Sequence, residues 1–242
     1  MNEIRTLRLM RYTAGMRVIL FDIDGTLLRG HGAGSRAMQR AGRRVCGDAF
    51  ALEGIVIGGG LDPLIYAEAA RNMGLADAHA LHDAFRDCYL EELALELAAS
   101  GSRLELLPGV VELLGELQGK PDIAVGVLTG NYRRGATAKF EAVGLGEHFF
   151  LAGAYGDDAS SRPGLVPVAL ARVATALGRE THPRDVVIVG DTPRDVDCAL
   201  QNGSRCLAVE TGYHTREELL AAGAHCVVAD LRDPAALSFL LD

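Results

Sequence analysis

The stretch Val18-Ile19-Leu20-Phe21-Asp22-Ile23-Asp24-Gly25-Thr26 decides how this chain is read. A short apolar run ends in two carboxylates one residue apart, and a glycine turn and a hydroxyl follow. Residues two apart on a strand share a face. At the carboxyl end the chain is already turning, so Asp22 and Asp24 are expected to converge on one small site. Two acids crowded there repel unless a cation lies between them or one keeps a proton. That is costly for a purely structural strand end and useful for metal-assisted phosphoryl chemistry.

Away from this stretch, apolar β-branched runs recur with helical stretches between them, which indicates an α/β fold with a parallel sheet. Strands are expected at residues 17–21, 123–128, 149–152, 186–189 and 206–209, with a further short one at 226–228. Helices are expected between them at 133–143, 165–177 and 196–202. From about Gly30 to Leu106 the rhythm breaks, and strand signal almost vanishes. Three helices are expected there, at 35–46, 63–73 and 77–98; in the last, Leu81, Phe85, Tyr89, Leu93 and Leu97 form one apolar stripe. The expected organisation is an N-terminal extension over 1–15, a Rossmann-like core of 16–30 and 107–242, and an inserted helical cap over 31–106. An insertion at that point lies over the carboxyl ends of the strands, where ligands bind in open α/β sheets.

Composition narrows the function. The 242 residues are 49% hydrophobic, enough for a sizeable core, and the net charge of -8 argues against general affinity for nucleic acid or an anionic membrane. No apolar run approaches the roughly 20 residues that span a bilayer. Five scattered cysteines without ligand spacing suit a reduced, cytoplasmic chain. The first fifteen residues hold three arginines and no sustained apolar region, so they are not read as a secretory signal; Met16 is a candidate alternative start. Monomer and homodimer both stay open.

Three later motifs add chemistry. Thr129-Gly130-Asn131 follows a strand and precedes a helix, where a hydroxyl and free amides make an anion site. Arg162-Pro163 precedes the helix expected at 165–177. Gly190-Asp191-Thr192-Pro193-Arg194-Asp195 places two more acids on a glycine turn after a strand, and hard oxygen ligands of this kind suit Mg²⁺. In this order, with Asp22-Ile23-Asp24-Gly25-Thr26, the motifs resemble the haloacid dehalogenase superfamily, and within it the phosphoglycolate-phosphatase-like hydrolases.

The resemblance implies a mobile helical cap over the active site and a role for each motif residue. Asp22 is the nucleophile that forms an aspartyl-phosphate, and Asp24 is the general acid and base. Thr129, Gly130 and Asn131 bind the phosphoryl group. Asp22, the Asp24 backbone carbonyl and Asp191 hold Mg²⁺, with Asp195 touching the ion or lying just behind. An acid at Asp24 argues against dehalogenation, and a cap free of lysine argues against phosphonate cleavage. The usual cation of the third motif is a lysine; this chain has Arg162 there, with Lys139 as the alternative. Gly30-His31-Gly32-Ala33-Gly34 is read as a hinge, not a dinucleotide fingerprint. Arg43, Arg44 and Asp62 are candidates for choosing the leaving group, although a solvated helix face explains the arginine pair as well. His31 is a weaker candidate. The expected activity is a Mg²⁺-dependent phosphatase acting on a small phosphate monoester, with phosphoglycolate, sugar phosphates and nucleotide monophosphates all open as substrates. A phosphomutase on the same fold and a non-catalytic phosphoryl-binding module are the alternatives.

Overall fold

The computed structural model describes residues 16–99 and 104–242, so the extension expected over 1–15 lies outside the described residues. The chain runs through β1 (Arg17–Phe21), β2 (Leu28–Arg29), α1 (Ala33–Cys46), α2 (Asp62–Asn72) and α3 (Ala78–Ala98). It continues through β3 (Glu105–Leu106), α4 (Val110–Gln118), β4 (Ile123–Leu128), α5 (Arg133–Ala142), β5 (Ala152–Ala154) and α6 (Leu165–Leu177). It ends with β6 (Val186–Gly190), α7 (Pro193–Gln201), β7 (Arg205–Val209), α8 (Arg216–Ala221), β8 (Cys226–Val228) and α9 (Pro234–Leu241).

Six strands form one parallel sheet in the order β5-β4-β1-β6-β7-β8. Alternate side chains supply its two faces. Ile19, Phe21, Val125, Val187 and Leu207 pack under α4, α5 and α9. Val18, Leu20, Ala124, Ile188 and Cys206 pack under α6 and α7. Burial on both faces explains why these strands read as continuous apolar runs. Strand β1 lies between β4 and β6, so its carboxyl end opens where the strand order reverses, the position at which such sheets bind ligands.

Two expectations about strands need correction. The strand expected at 149–152 lies at Ala152–Ala154, and Glu147–Phe149 is a 3₁₀ turn. Phe150 stacks on Phe140, with ring centroids 5.2 Å apart, so its apolar character serves packing and not the sheet. The pair β2 and β3, antiparallel with Leu28 opposite Leu106, was not expected. Two residues per strand leave no periodicity to read.

The helices between β2 and β3 have a core of their own around Phe50, Tyr66, Phe85, Tyr89 and Leu93, joined by Tyr132 from the loop after β4. Arg40 and Arg44 of α1 grip Glu92 of α3 at 2.6 Å each. Phe85 is fully buried and stacks on Tyr66 at 4.1 Å. Phe85→Ala is expected to cost about 3–5 kcal/mol, the range for truncating a buried aromatic, and a thermal melt should show a drop of roughly 10 °C. A loss under about 1 kcal/mol would mean that this cluster adds little to stability.

Candidate active site

Strand β1 delivers Asp22 to its carboxyl end, where its amide donates to Val189 O at 2.9 Å. The turn beyond uses Gly25 at φ 83°, a conformation that favours glycine. Space also demands glycine there, because a Cβ at Gly25 would stand 2.3 Å from Asp191 Oδ2. Across the turn, Thr26 Oγ1 donates to Asp191 Oδ1 at 3.2 Å, and Thr211 Oγ1 donates to Gly25 O at 2.5 Å.

Asp22, Asp191 and Asp195 form a buried cluster whose nearest carboxylate oxygens all lie within 4.8 Å of one another. Burial pushes Asp22 up to about 6, against the pull of Arg162, and Asp195 adds to the rise. Asp191 is held well above the usual carboxylate range by burial, then by Asp195 and Asp22. A hard divalent cation matches this donor set, since it takes oxygen ligands and cancels the repulsion. Asp195 has both oxygens engaged: Oδ2 accepts from Thr192 N–H and Oγ1 in a capping box at the start of α7, and Oδ1 accepts from Arg162.

Arg162 is buried and joins three partners. Its Nη2 lies 3.0 Å from Asp22 Oδ2, its Nε donates to Asp195 at 3.0 Å, and its Nη1 donates to Gly59 O at 3.2 Å. Burial works against its charge, but Asp195 and Asp22 more than offset that and raise it above the ordinary arginine value. A lysine, with one nitrogen, lacks the planar fork that reaches all three.

Asp24 turns away from this cluster. Its carboxylate accepts from Lys139 Nζ at 2.6 and 2.8 Å and from Asn131 Nδ2 at 2.8 Å. Asp22 and Asp24 line one cavity of about 600 Å³, but their side chains have different partners. Thr129 is fully buried, with Oγ1 accepting from Asn131 Nδ2 at 2.8 Å. Gly130 is packed against the helical segment: its carbonyl accepts from Asp62 N–H at 2.8 Å, and a Cβ would stand 1.7 Å from Gly60 O.

The candidates in the helical segment divide. Asp62 lines the cavity, and its Oδ2 accepts from Tyr132 N–H at 2.9 Å. His31 lines the cavity and bonds Glu105 at 3.3 Å. Arg44 pairs with Glu91 and Glu92, and neither it nor Arg43 lines the cavity. Sequence reasoning did not single out Tyr89 for this site, although it lines the cavity, and its hydroxyl and the Lys139 amine each lie 3.6 Å from where a Cβ at Gly34 would stand. On the sequence its place in an apolar stripe marked it only as core.

Burial raises Asp62 from 3.8 to about 7, with Lys139 pulling it down. A raised value means that the folded chain binds this proton more tightly than the unfolded chain. The resulting stabilisation is complete below pH 3.8 and is lost as the pH climbs through about 7. Asp62→Asn keeps an oxygen for Tyr132 N–H and removes the buried charge. Its melting temperature, relative to the native protein, is expected to rise between pH 5 and pH 8. A difference that is flat with pH would show that Asp62 titrates normally.

The sequence matches the haloacid dehalogenase-like hydrolase family over residues 16–203. The chain belongs to this family and is an enzyme of the hydrolase class. It is 32% identical to a phosphoglycolate phosphatase of Synechococcus elongatus over 133 residues, 55% of this chain and 59% of that one. Over 220 residues it is 30% identical to an N-acetylmuramic acid 6-phosphate phosphatase of Pseudomonas putida, covering 88% of this chain and 92% of that one. Its fold is similar to that of CbbY from Rhodobacter sphaeroides, solved in complex with phosphate, with a TM-score of 0.68 and 22% identity over 92% of this chain and 99% of that one. Among the described residues no helix is long and apolar enough to cross a membrane.

Proposed function

We propose that the protein is a Mg²⁺-dependent phosphatase that hydrolyses a small phosphate monoester through an aspartyl-phosphate on Asp22. One observation carries this reading. A buried carboxylate at the end of the central strand lies within an acid cluster, beside a buried arginine, on the wall of a cavity that the helical segment also lines.

Asp22 attacks phosphorus, and Arg162 balances the charge on Asp22 and on the equatorial phosphoryl oxygens. The Thr129 hydroxyl and the amides of Gly130 and Asn131 orient the group. Asp24 gives its proton to the ester oxygen as the alcohol leaves, then takes one from the water that attacks the acyl phosphate. Asp22, Asp191 and the Asp24 carbonyl, backed by Asp195, would hold Mg²⁺, which when bound supplies Lewis-acid stabilisation of phosphoryl oxygens. Residues 31–106 act as the cap that excludes water and selects the ester. Five free cysteines fit a reducing cytoplasm.

Phosphoglycolate and N-acetylmuramic acid 6-phosphate, named for the relatives, head the panel of esters to test. Phosphate release is measured with each ester in Mg²⁺ and again in EDTA. Release that EDTA abolishes supports the proposal, and the best ester names the substrate class. Silence across the panel overturns it.

A further inference from the structure

The chain carries 22 arginines and only two lysines, Lys120 and Lys139. Lys139 is 3% exposed, and its amine meets three oxygens: both of Asp24, at 2.6 and 2.8 Å, and Asn131 Oδ1 at 2.6 Å. An ammonium has three rotatable donors on one atom, and these three bonds use all of them. A guanidinium is a rigid planar fork and does not converge three donors on one point. Asn131 Nδ2 completes the ring by donating to Asp24 Oδ2 and to Thr129 Oγ1, each at 2.8 Å.

We infer that Lys139 is a positioning residue for the proton-transferring Asp24, distinct from Arg162, the cation of Asp22. The inference rests on the proton-transfer role given to Asp24 above. In the first step the bond from Asp22 to phosphorus forms, the ester P–O bond breaks, and the Asp24 proton goes to the departing alkoxide. Asp24 is left as a carboxylate, the species that Lys139 and Asn131 are arranged to hold. Oδ2 accepts two bonds and Oδ1 one, so Oδ1 keeps a lone pair. That lone pair takes the proton of the attacking water in the second step, which restores the Asp22 carboxylate and releases phosphate. Two cations thus serve two acids: a fork where three separate groups must be bridged, a point donor where three oxygens converge.

The test compares Lys139→Met, Asp24→Asn and the double variant by single-turnover alcohol release from ethyl phosphate and p-nitrophenyl phosphate. Ethoxide needs a proton to leave, whereas nitrophenolate does not. Lys139→Met is expected to slow ethanol release by about 10²-fold, within the range for losing acid catalysis, and to lower the ethyl-to-nitrophenyl rate ratio about tenfold or more. The double variant is expected to match Asp24→Asn within about threefold, as for residues that act as a unit. An unchanged ratio, or losses that multiply in the double variant, would overturn the inference. Lys139→Arg at native rates would overturn the point-donor geometry. If the native protein releases neither alcohol but hydrolyses an ester of the panel above, that ester takes their place; if it hydrolyses none, the phosphatase reading fails, and a crystal structure of Lys139→Met then decides the positioning role. Asp24 turned off Asn131 supports it, and Asp24 unmoved overturns it.

Discussion

Asp22→Asn is expected to bring phosphate release down to background, a fall of about 10⁵–10⁶-fold, the scale seen when a nucleophile is removed from a covalent mechanism. Asparagine fills the same volume, so the cavity and the sheet are retained. The amide cannot form an acyl phosphate by attack on phosphorus, and among the described residues no nearby group replaces it. Asp191 and Asp195 are held on Thr26, Thr192 and Arg162, and the Asp24 carboxylate is held on Lys139 and Asn131. Stability should move the other way. Burial holds Asp22 near 6, so at pH 8 the metal-free native protein carries a buried charge that the variant lacks. Asp22→Asn is therefore expected to melt no lower than the native protein at pH 8 without metal. An acid-quenched reaction with ³²P-labelled ester should leave label on the native chain and none on the variant. Retention of more than about one part in 10³ of the activity would rule out Asp22 as nucleophile.

Removal of Mg²⁺ is the second large effect. Chelation is expected to abolish release, and added Mg²⁺ to restore it. The acid cluster also gives a readout that needs no turnover. Protons and the cation compete for Asp22 and Asp191, both of which stand above the ordinary carboxylate range in the metal-free protein. Mg²⁺ affinity should therefore rise with pH through about 6, the value at Asp22. At a hundred times Kd a ligand adds about 2.7 kcal/mol to stability, roughly 5–10 °C for a chain of this size. The shift should be larger at pH 7.5 than at pH 5 and should vanish in Asp191→Asn. Activity that resists EDTA, with a melting temperature indifferent to Mg²⁺ at pH 7.5, would remove the metal from the mechanism.

Much of this site was legible because each of its parts is short and local. An apolar strand that runs into acids or a hydroxyl at a glycine turn can be seen within nine residues, as at Val18 to Thr26 and at Val186 to Asp191. Such a stretch places Asp22, Thr129 and Asp191 at strand ends because buried parallel strands must be apolar along their length. The helices between β2 and β3 were legible from the absence of strand signal and from the stripe through Phe85 and Tyr89. Less was legible where apolar character had two uses. Phe149 and Phe150 resemble the start of a strand, yet they pack against the core cluster, Phe150 on Phe140, while the strand begins at Ala152.

The sequence by itself determined the class of fold, the chain order of the six strands of the parallel sheet and the family, since each rests on motifs that are short and local. Tertiary structure alone decided the partners. Asp24 and Lys139 are 115 positions apart, and Arg162 and Gly59 are 103 apart. Nothing local distinguishes a lysine on a solvated helix face from one whose amine is buried against three oxygens. The same holds for Tyr89, a core residue by pattern and a cavity wall in space. Local pattern records which face of an element is apolar. Which polar groups meet across the closed fold depends on how those faces pack, because a buried charge must find its partner wherever the packing puts it.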